Sequence, residues 1–308
     1  MDLLRAVVSS WQFLLIVVLA CTSGCSLKQM AVNTVADTLS ETGTAFTSDE
    51  DVKLVGDAIP FALKLYETLL ESTPRHQGLL LSTCSGFTQY AYAFVETEAE
   101  ALPAGRRAEI REAQDRALRL YLRARGYCFR AMNVRFGDKT SEALLLNPDT
   151  VASKARTADV PLLYWTAASW GAAISLGIDR PDLAIDLPTV RVLAERALAL
   201  DEKWHKGTLH ELFVTLDSLP DELGGSRARA REHFAKAVEL QGGLAPGPYV
   251  ALATGVAVPS QDRAEFERLL KTALAIDPEK DPANRLVTLV MQKRARVLLD
   301  RIDEKFAN

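Results

Sequence analysis

The sequence predicts an all-α protein of stacked antiparallel helical hairpins. After residue 48, apolar residues recur at helical spacing in nearly every segment, and runs of alternating β-branched residues are missing. Pro and Gly punctuate the chain at intervals that suit helices joined by short turns. A chain of 308 residues with 48% hydrophobic and 25% charged residues can bury a substantial core, as one large domain or two small ones. A net charge of −4 leaves no basic footprint, so no nucleic-acid partner is expected.

The first stretch is different in kind. Arg5 precedes an apolar run from Trp11 to Ala20 that is too short for a comfortable membrane span and is followed by small residues, as in a secretory signal. Next comes Cys21-Thr-Ser-Gly-Cys25-Ser, and a cysteine after small residues at the end of a signal resembles a bacterial lipobox. Cys25, after Ser23-Gly24, is the favoured lipidation site, with Cys21, after Leu19-Ala20, as the alternative. The expected organisation is a lipoprotein signal peptide over 1–24, a lipidated N-terminal segment over 25–47 and a helical-repeat domain over 48–308. An uncleaved anchor helix is the rival, and both place the remainder outside the cytoplasm, tethered to a membrane. Cys84 and Cys128 are then an even pair in an oxidising compartment. They can form a disulfide, or each can serve as a small buried residue.

Leu27, Ala31, Val35 and Leu39 fall four apart with Met30 beside them, which predicts a short amphipathic helix. Ser40 to Ser48 is a Gly/Thr/Ser-rich break, and Ser48-Asp-Glu-Asp51 supplies a cap and an acidic first turn for the next helix. Helices are predicted over 51–72, 77–100, 104–132, 161–176, 188–200, 205–218, 226–240, 261–276 and 282–305. The breaks are Ser72-Thr-Pro74, Ala101-Leu-Pro103, Asp179-Arg-Pro181, Leu219-Pro220, Gly224-Gly225, Gly242-Gly243 through Pro248, and Asp277-Pro278. Pro60 lies inside the first helix and predicts a kink or a split there. Residues 136–158 look like a polar excursion between two helical halves. Val160 to Ile178 carries no charge, so its helix must be buried, either in a membrane or, as its Thr, Ser and small residues favour, in a protein core.

A stripe recurs along these helices, in which Ala is followed four on by an aromatic and three further by a small or apolar residue. Ala62, Tyr66, Leu69 and Pro74 carry it, as do Ala117, Tyr121 and Ala124, and Ala230, Phe234 and Ala237; Phe266, Leu270, Ala273 and Pro278 are looser, and Val190, Ala194 and Ala197 weak. Such stripes face the neighbouring helix in hairpins of tetratricopeptide-like type, each burying the face its neighbour leaves open. In that phase Cys84 takes the small-residue position of the next helix, a packing role.

Catalytic motifs are mostly absent: the chain has no Gly-x-Gly-x-x-Gly, Gly-x-Ser-x-Gly, Cys-x-x-Cys or P-loop, and no cofactor or metal set is expected. His205 and His210 are five apart, a poor arrangement for one metal, and His210-Glu211 lacks the second histidine of a zinc-protease motif because residue 214 is Val214. A hydrolase built on His210 and Glu211 is the weakest of the alternatives. Binding has better support. Phe87, Gln89, Tyr90 and Tyr92 share one predicted helix, and Tyr164, Trp165 and Trp170 share the central one. Aromatics at this spacing fill cores, yet the polar tips of Tyr and Trp also suit an amphipathic cavity, with Gln89, a tyrosine hydroxyl or His210 meeting a ligand's polar head.

Cys25-Ser-Leu-Lys-Gln-Met-Ala-Val-Asn33, Cys84-Ser-Gly-Phe-Thr-Gln-Tyr-Ala-Tyr-Ala-Phe94, Leu120-Tyr-Leu-Arg-Ala-Arg125, Asp159-Val-Pro-Leu-Leu-Tyr-Trp-Thr-Ala-Ala-Ser-Trp-Gly171, Ala230-Arg-Glu-His-Phe-Ala-Lys-Ala237 and Gln292-Lys-Arg-Ala-Arg296 stand in order along the chain. Together they resemble the T-component (TatT) family of proteins associated with TRAP transporters. The resemblance implies a periplasmic lipoprotein that forms a homotrimer and binds a periplasmic solute-binding P component; the outer membrane, ahead of the inner, is the expected place of its lipid anchor. It also implies a cavity or channel for a small hydrophobic ligand such as an organic acid or lipid-like carboxylate, and it brings no catalytic residues, so no enzymatic activity is expected; Cys25 matches the lipidated cysteine. The alternative is a helical-repeat adaptor that binds protein and has no ligand cavity.

Overall fold

The structure is a computed structural model that describes residues 33–38, 44–178 and 180–306. The signal segment, Cys21 and Cys25 lie outside the described residues. Within them every regular element is helical. The main helices are α1 (Val52–Ser72), α2 (Gln77–Ala91), α3 (Arg107–Phe136), α4 (Val160–Leu176), α5 (Leu187–Leu200), α6 (Thr208–Asp217), α7 (Arg227–Leu240), α8 (Gly247–Leu252), α9 (Arg263–Leu274) and α10 (Arg285–Asp300). Helices adjacent in sequence pack on one another along most of the chain, as α2 on α3, α3 on α4, α4 on α5, α6 on α7 and α9 on α10.

Local chemistry sets the starts. Asp51 accepts from Leu54 N at 2.9 Å to cap α1, and His76 Nδ1 accepts from Leu79 N at 3.1 Å to cap α2. Helix α1 runs unbroken through Pro60, because Val55, Leu63 and Leu70 bury one continuous face and that packing outweighs the one backbone bond the proline removes. Asp159 fixes the entry to α4 by accepting from Arg156 N at 2.9 Å and from Arg135 Nε at 2.5 Å.

Two stretches differ from expectation. The excursion at 136–158 contains two short helices, Thr140–Leu146 and Pro148–Ala152, anchored by Leu144, Val151 and Ala155 and by the Asn133 side chain, whose Oδ1 accepts from Ser141 N at 2.8 Å. Helices of seven and five residues are too short for a helical period to show. The predicted break ending at Pro248 gives way to α8, which continues through a π turn at Ala253–Ala257. Pro248 stands at its first turn, where proline is tolerated, and Val250, Leu252, Ala253, Val256 and Ala257 are all buried, so no polar face marks it as a helix.

Most stripe positions are core: Ala117, Tyr121, Ala124, Val190, Ala194, Ala197, Ala230, Ala237, Phe266, Leu270 and Ala273 are all buried. The first stripe is not, with Ala62, Tyr66 and Leu69 half-buried and Pro74 exposed. Cys84 and Cys128 are bonded at an S–S distance of 2.09 Å, joining α2 to α3, so the packing role expected of Cys84 is superseded by a covalent one. The α4 segment is interior, and among the described residues no helix is long and apolar enough to cross a membrane.

Two main cores form within the described residues. One gathers Leu79, Tyr121, Met132, Leu163, Trp170 and Leu193, and the other gathers Val250, Phe266, Leu270, Met291 and Leu298. The last helix then turns back on the first. Leu286 and Val290 of α10 cluster with Val55 of α1 and with Phe46 and Phe94, so the row of helices closes on itself and the two cores flank an interior.

Candidate functional site: an interior polar recess

After Ala91 the second helix passes through a π turn, Tyr92–Glu96, before resuming as Thr97–Ala101, with Thr97 Oγ1 donating to Tyr92 O at 2.8 Å. The wider turn adds a residue and redirects the side chains beyond it. Tyr92 consequently packs against both cores. Arg294 of α10 donates from Nη1 to Tyr92 Oη at 2.5 Å and from Nε to Glu100 Oε2 at 2.7 Å, with its guanidinium 5.3 Å from the Tyr92 ring centre. Tyr92 Oη donates to Met291 Sδ at 3.5 Å. Glu96 accepts from Tyr121 Oη at 2.6 Å. Burial raises the Glu96 carboxyl above its ordinary range against the pull of Arg294. Burial also opposes the charge on Arg294, but Tyr92 and Glu100 outweigh it and hold the guanidinium charged.

The facing wall comes from α4 and α6. The Tyr164 ring meets Trp165 at 4.9 Å and Trp204 at 4.8 Å between centres. No hydrogen bond engages its hydroxyl among the described residues, and burial, with Glu211 and Tyr92 adding to it, keeps that hydroxyl neutral. Glu211 of α6 rests on the bare Cα of Gly247, where any Cβ would collide with its carboxylate. It accepts from Gln241 Nε2 at 3.4 Å, and burial pushes its carboxyl up to about 7. Tyr92, Tyr164, Glu211 and Arg294 are each half-buried although they stand between two cores, and desolvation raises both tyrosines and Glu211. Their free surface therefore faces an inward recess and not bulk water. Such a recess can seat a polar head among aromatic walls.

Of the residues singled out in the sequence, Tyr92 and Tyr164 meet here. Trp165 lies edge-on to Tyr164 and packs toward the disulfide cluster. Trp170 is fully enclosed, its ring 5.0 Å from Phe129 in an edge arrangement. Phe87 is buried and stacks on Tyr127 at 6.0 Å. Tyr90 stacks on Phe94 at 5.8 Å, and Gln89 is exposed, its amide donating to Ser85 O at 3.3 Å. His210 turns to α7, where its Nδ1 lies 2.7 Å from His233 Nδ1, and its Nε2 lies 3.2 Å from Glu202 Oε1. It shares no partner with Glu211. Glu96, Glu100, Tyr121, Gln241 and Arg294 join the recess without having been singled out as ligand contacts. Their one signal in the sequence is a charge or polar tip beside buried neighbours, as Arg294 stands beside Ala295.

The family model for the TRAP transporter T-component matches residues 48–306. The chain belongs to that family. A protein of Treponema pallidum (strain Nichols), described only as an uncharacterized protein, is 30% identical over 302 residues, covering 92% of this chain and 94% of the relative. This T component is accordingly a transport-associated protein of a TRAP system, whose components are periplasmic or membrane-associated.

Proposed function

We propose that this T component is a periplasmic, lipid-anchored and trimeric scaffold that binds a solute-binding P component and holds or relays a small hydrophobic ligand in its interior recess. The observation that carries this is the family match across residues 48–306. The buried repeat stripes are consistent with tetratricopeptide-like hairpins, and Cys25 remains the proposed lipidation site. The recess supports the ligand role, since it combines aromatic walls with polar groups that lack a full set of partners. An apolar stripe on α1, with Leu54 58% and Phe61 74% exposed, supports self-association. Native mass spectrometry of the mature protein with its P component tests the assembly, and a persistent monomer without complex would overturn it.

The burial of Phe87 and Trp170 favours the adaptor alternative, in which the aromatics are only core. Substituting Tyr164→Ala separates the two. Loss of ligand binding with the fold intact supports the recess, whereas unchanged binding to every partner supports the adaptor.

A further inference from the structure

The recess has more acceptors than donors. One guanidinium, Arg294, stands among three carboxylates, and it is already committed through Nε to Glu100 and through Nη1 to Tyr92. Glu96 takes the Tyr121 hydroxyl. Among the described residues Glu211 has no cation, only the Gln241 amide at 3.4 Å. Gln241 is itself 8% exposed, and its Oε1 has no hydrogen-bond partner there. Tyr164 adds a further uncommitted oxygen. A buried carboxylate without a counter-charge is costly, and either a proton or a ligand cation offsets that cost.

We propose that the recess takes an amphiphile with a protonated amine head, which donates to Glu211, Tyr164 and Gln241 while its apolar body lies against the aromatic walls. This rests on the reading of the recess as a ligand site. A primary ammonium has three donors and no acceptor, matching three uncommitted acceptors. The faces of Tyr92, Tyr164 and Trp204 add cation–π attraction. A carboxylate head would meet the same oxygens as a fourth anion and would need extra protons to bind. The groups that face Glu211 are Gln241 after α7, Tyr164 of α4 and Tyr92 of the π turn after α2, and beyond Tyr92 stand Arg294, Glu96 and Glu100. Glu211 must lose its proton to receive an ammonium, so the pH dependence of binding carries the sign of the ligand's charge.

The test is calorimetric titration of the purified mature protein with n-octylamine, n-octanoic acid and n-octanol at pH 6 and pH 8. Octylamine should bind tightest, with affinity rising about tenfold over that interval while its amine stays charged. Glu211→Gln should lose at least that factor and flatten the pH dependence, with unfolding curves confirming an intact fold. Tyr164→Phe, which keeps the ring, should weaken octylamine several-fold. Tighter binding of octanoate, weakening as pH rises, would overturn the amine head and leave the recess as a ligand site. Failure of all three probes to bind would overturn both.

Discussion

Desolvation raises the Glu211 carboxyl to about 7 in the folded chain against an ordinary 4.5, so it takes up or releases its proton near neutral pH. The folded state then binds more protons than the unfolded state between those values, so stability is fully present below 4.5 and is lost as pH rises through about 7. Glu211→Gln should therefore leave stability unchanged near pH 4 and raise it at pH 8 by on the order of 3 kcal/mol, read from urea unfolding at the two pH values. Asp217 has the cationic partners that Glu211 lacks. Fully buried, its Oδ1 accepts from Arg191 Nη1 at 2.9 Å and Arg229 Nη2 at 3.0 Å, with His233 Nε2 3.7 Å from Oδ2. Asp217→Ala strands those cations and should cost about 3–5 kcal/mol in chemical denaturation, whatever the state of the recess.

At the scale of elements, the second helix does most to build the site. Its π turn lifts Tyr92 and Glu96 into the recess, and Cys84 ties it to α3 across 44 residues of chain. Closing a loop of that length restricts the unfolded chain by about 4 kcal/mol on the chain-entropy account. The Cys84→Ser, Cys128→Ser double variant should lose stability of that order, and reductant should lower the thermal midpoint of the parent but not of the variant. Long amphipathic helices such as α1 and α9 were legible because an apolar stripe over several turns has one solution. Helix α8 was not, since its sequence carries no charged residue and so no polar face to give it a period. The short helices of 140–152 escaped for another reason, being seven and five residues long, too short for an apolar stripe to repeat.

For the whole molecule, closure is the decisive event. Helix α10 returns to α1 and to the π turn and short helix that follow α2, and its Arg294 joins Tyr92 and Glu100 across roughly two hundred residues of sequence. The outer surface carries the proposed assembly. Phe61 is 74% exposed on α1, away from both main cores, so Phe61→Asp should leave thermal stability nearly unchanged and convert the proposed trimer to monomer in sedimentation velocity. Unchanged sedimentation would remove α1 from the interface.

Local periodicity and ordered blocks of residues were enough to establish the helical class, nearly all the main helices, the buried stripes and the family. They also singled out the two tyrosines of the recess. Which aromatics are core and which face the recess emerged only from the packed chain, as did the bond between Cys84 and Cys128. Packing likewise supplied Glu211, Gln241 and Arg294 as companions of the tyrosines. Those groups come from elements far apart in the chain, and their chemistry depends on a shared desolvated interior that exists only once α10 has closed against the π turn at Tyr92–Glu96.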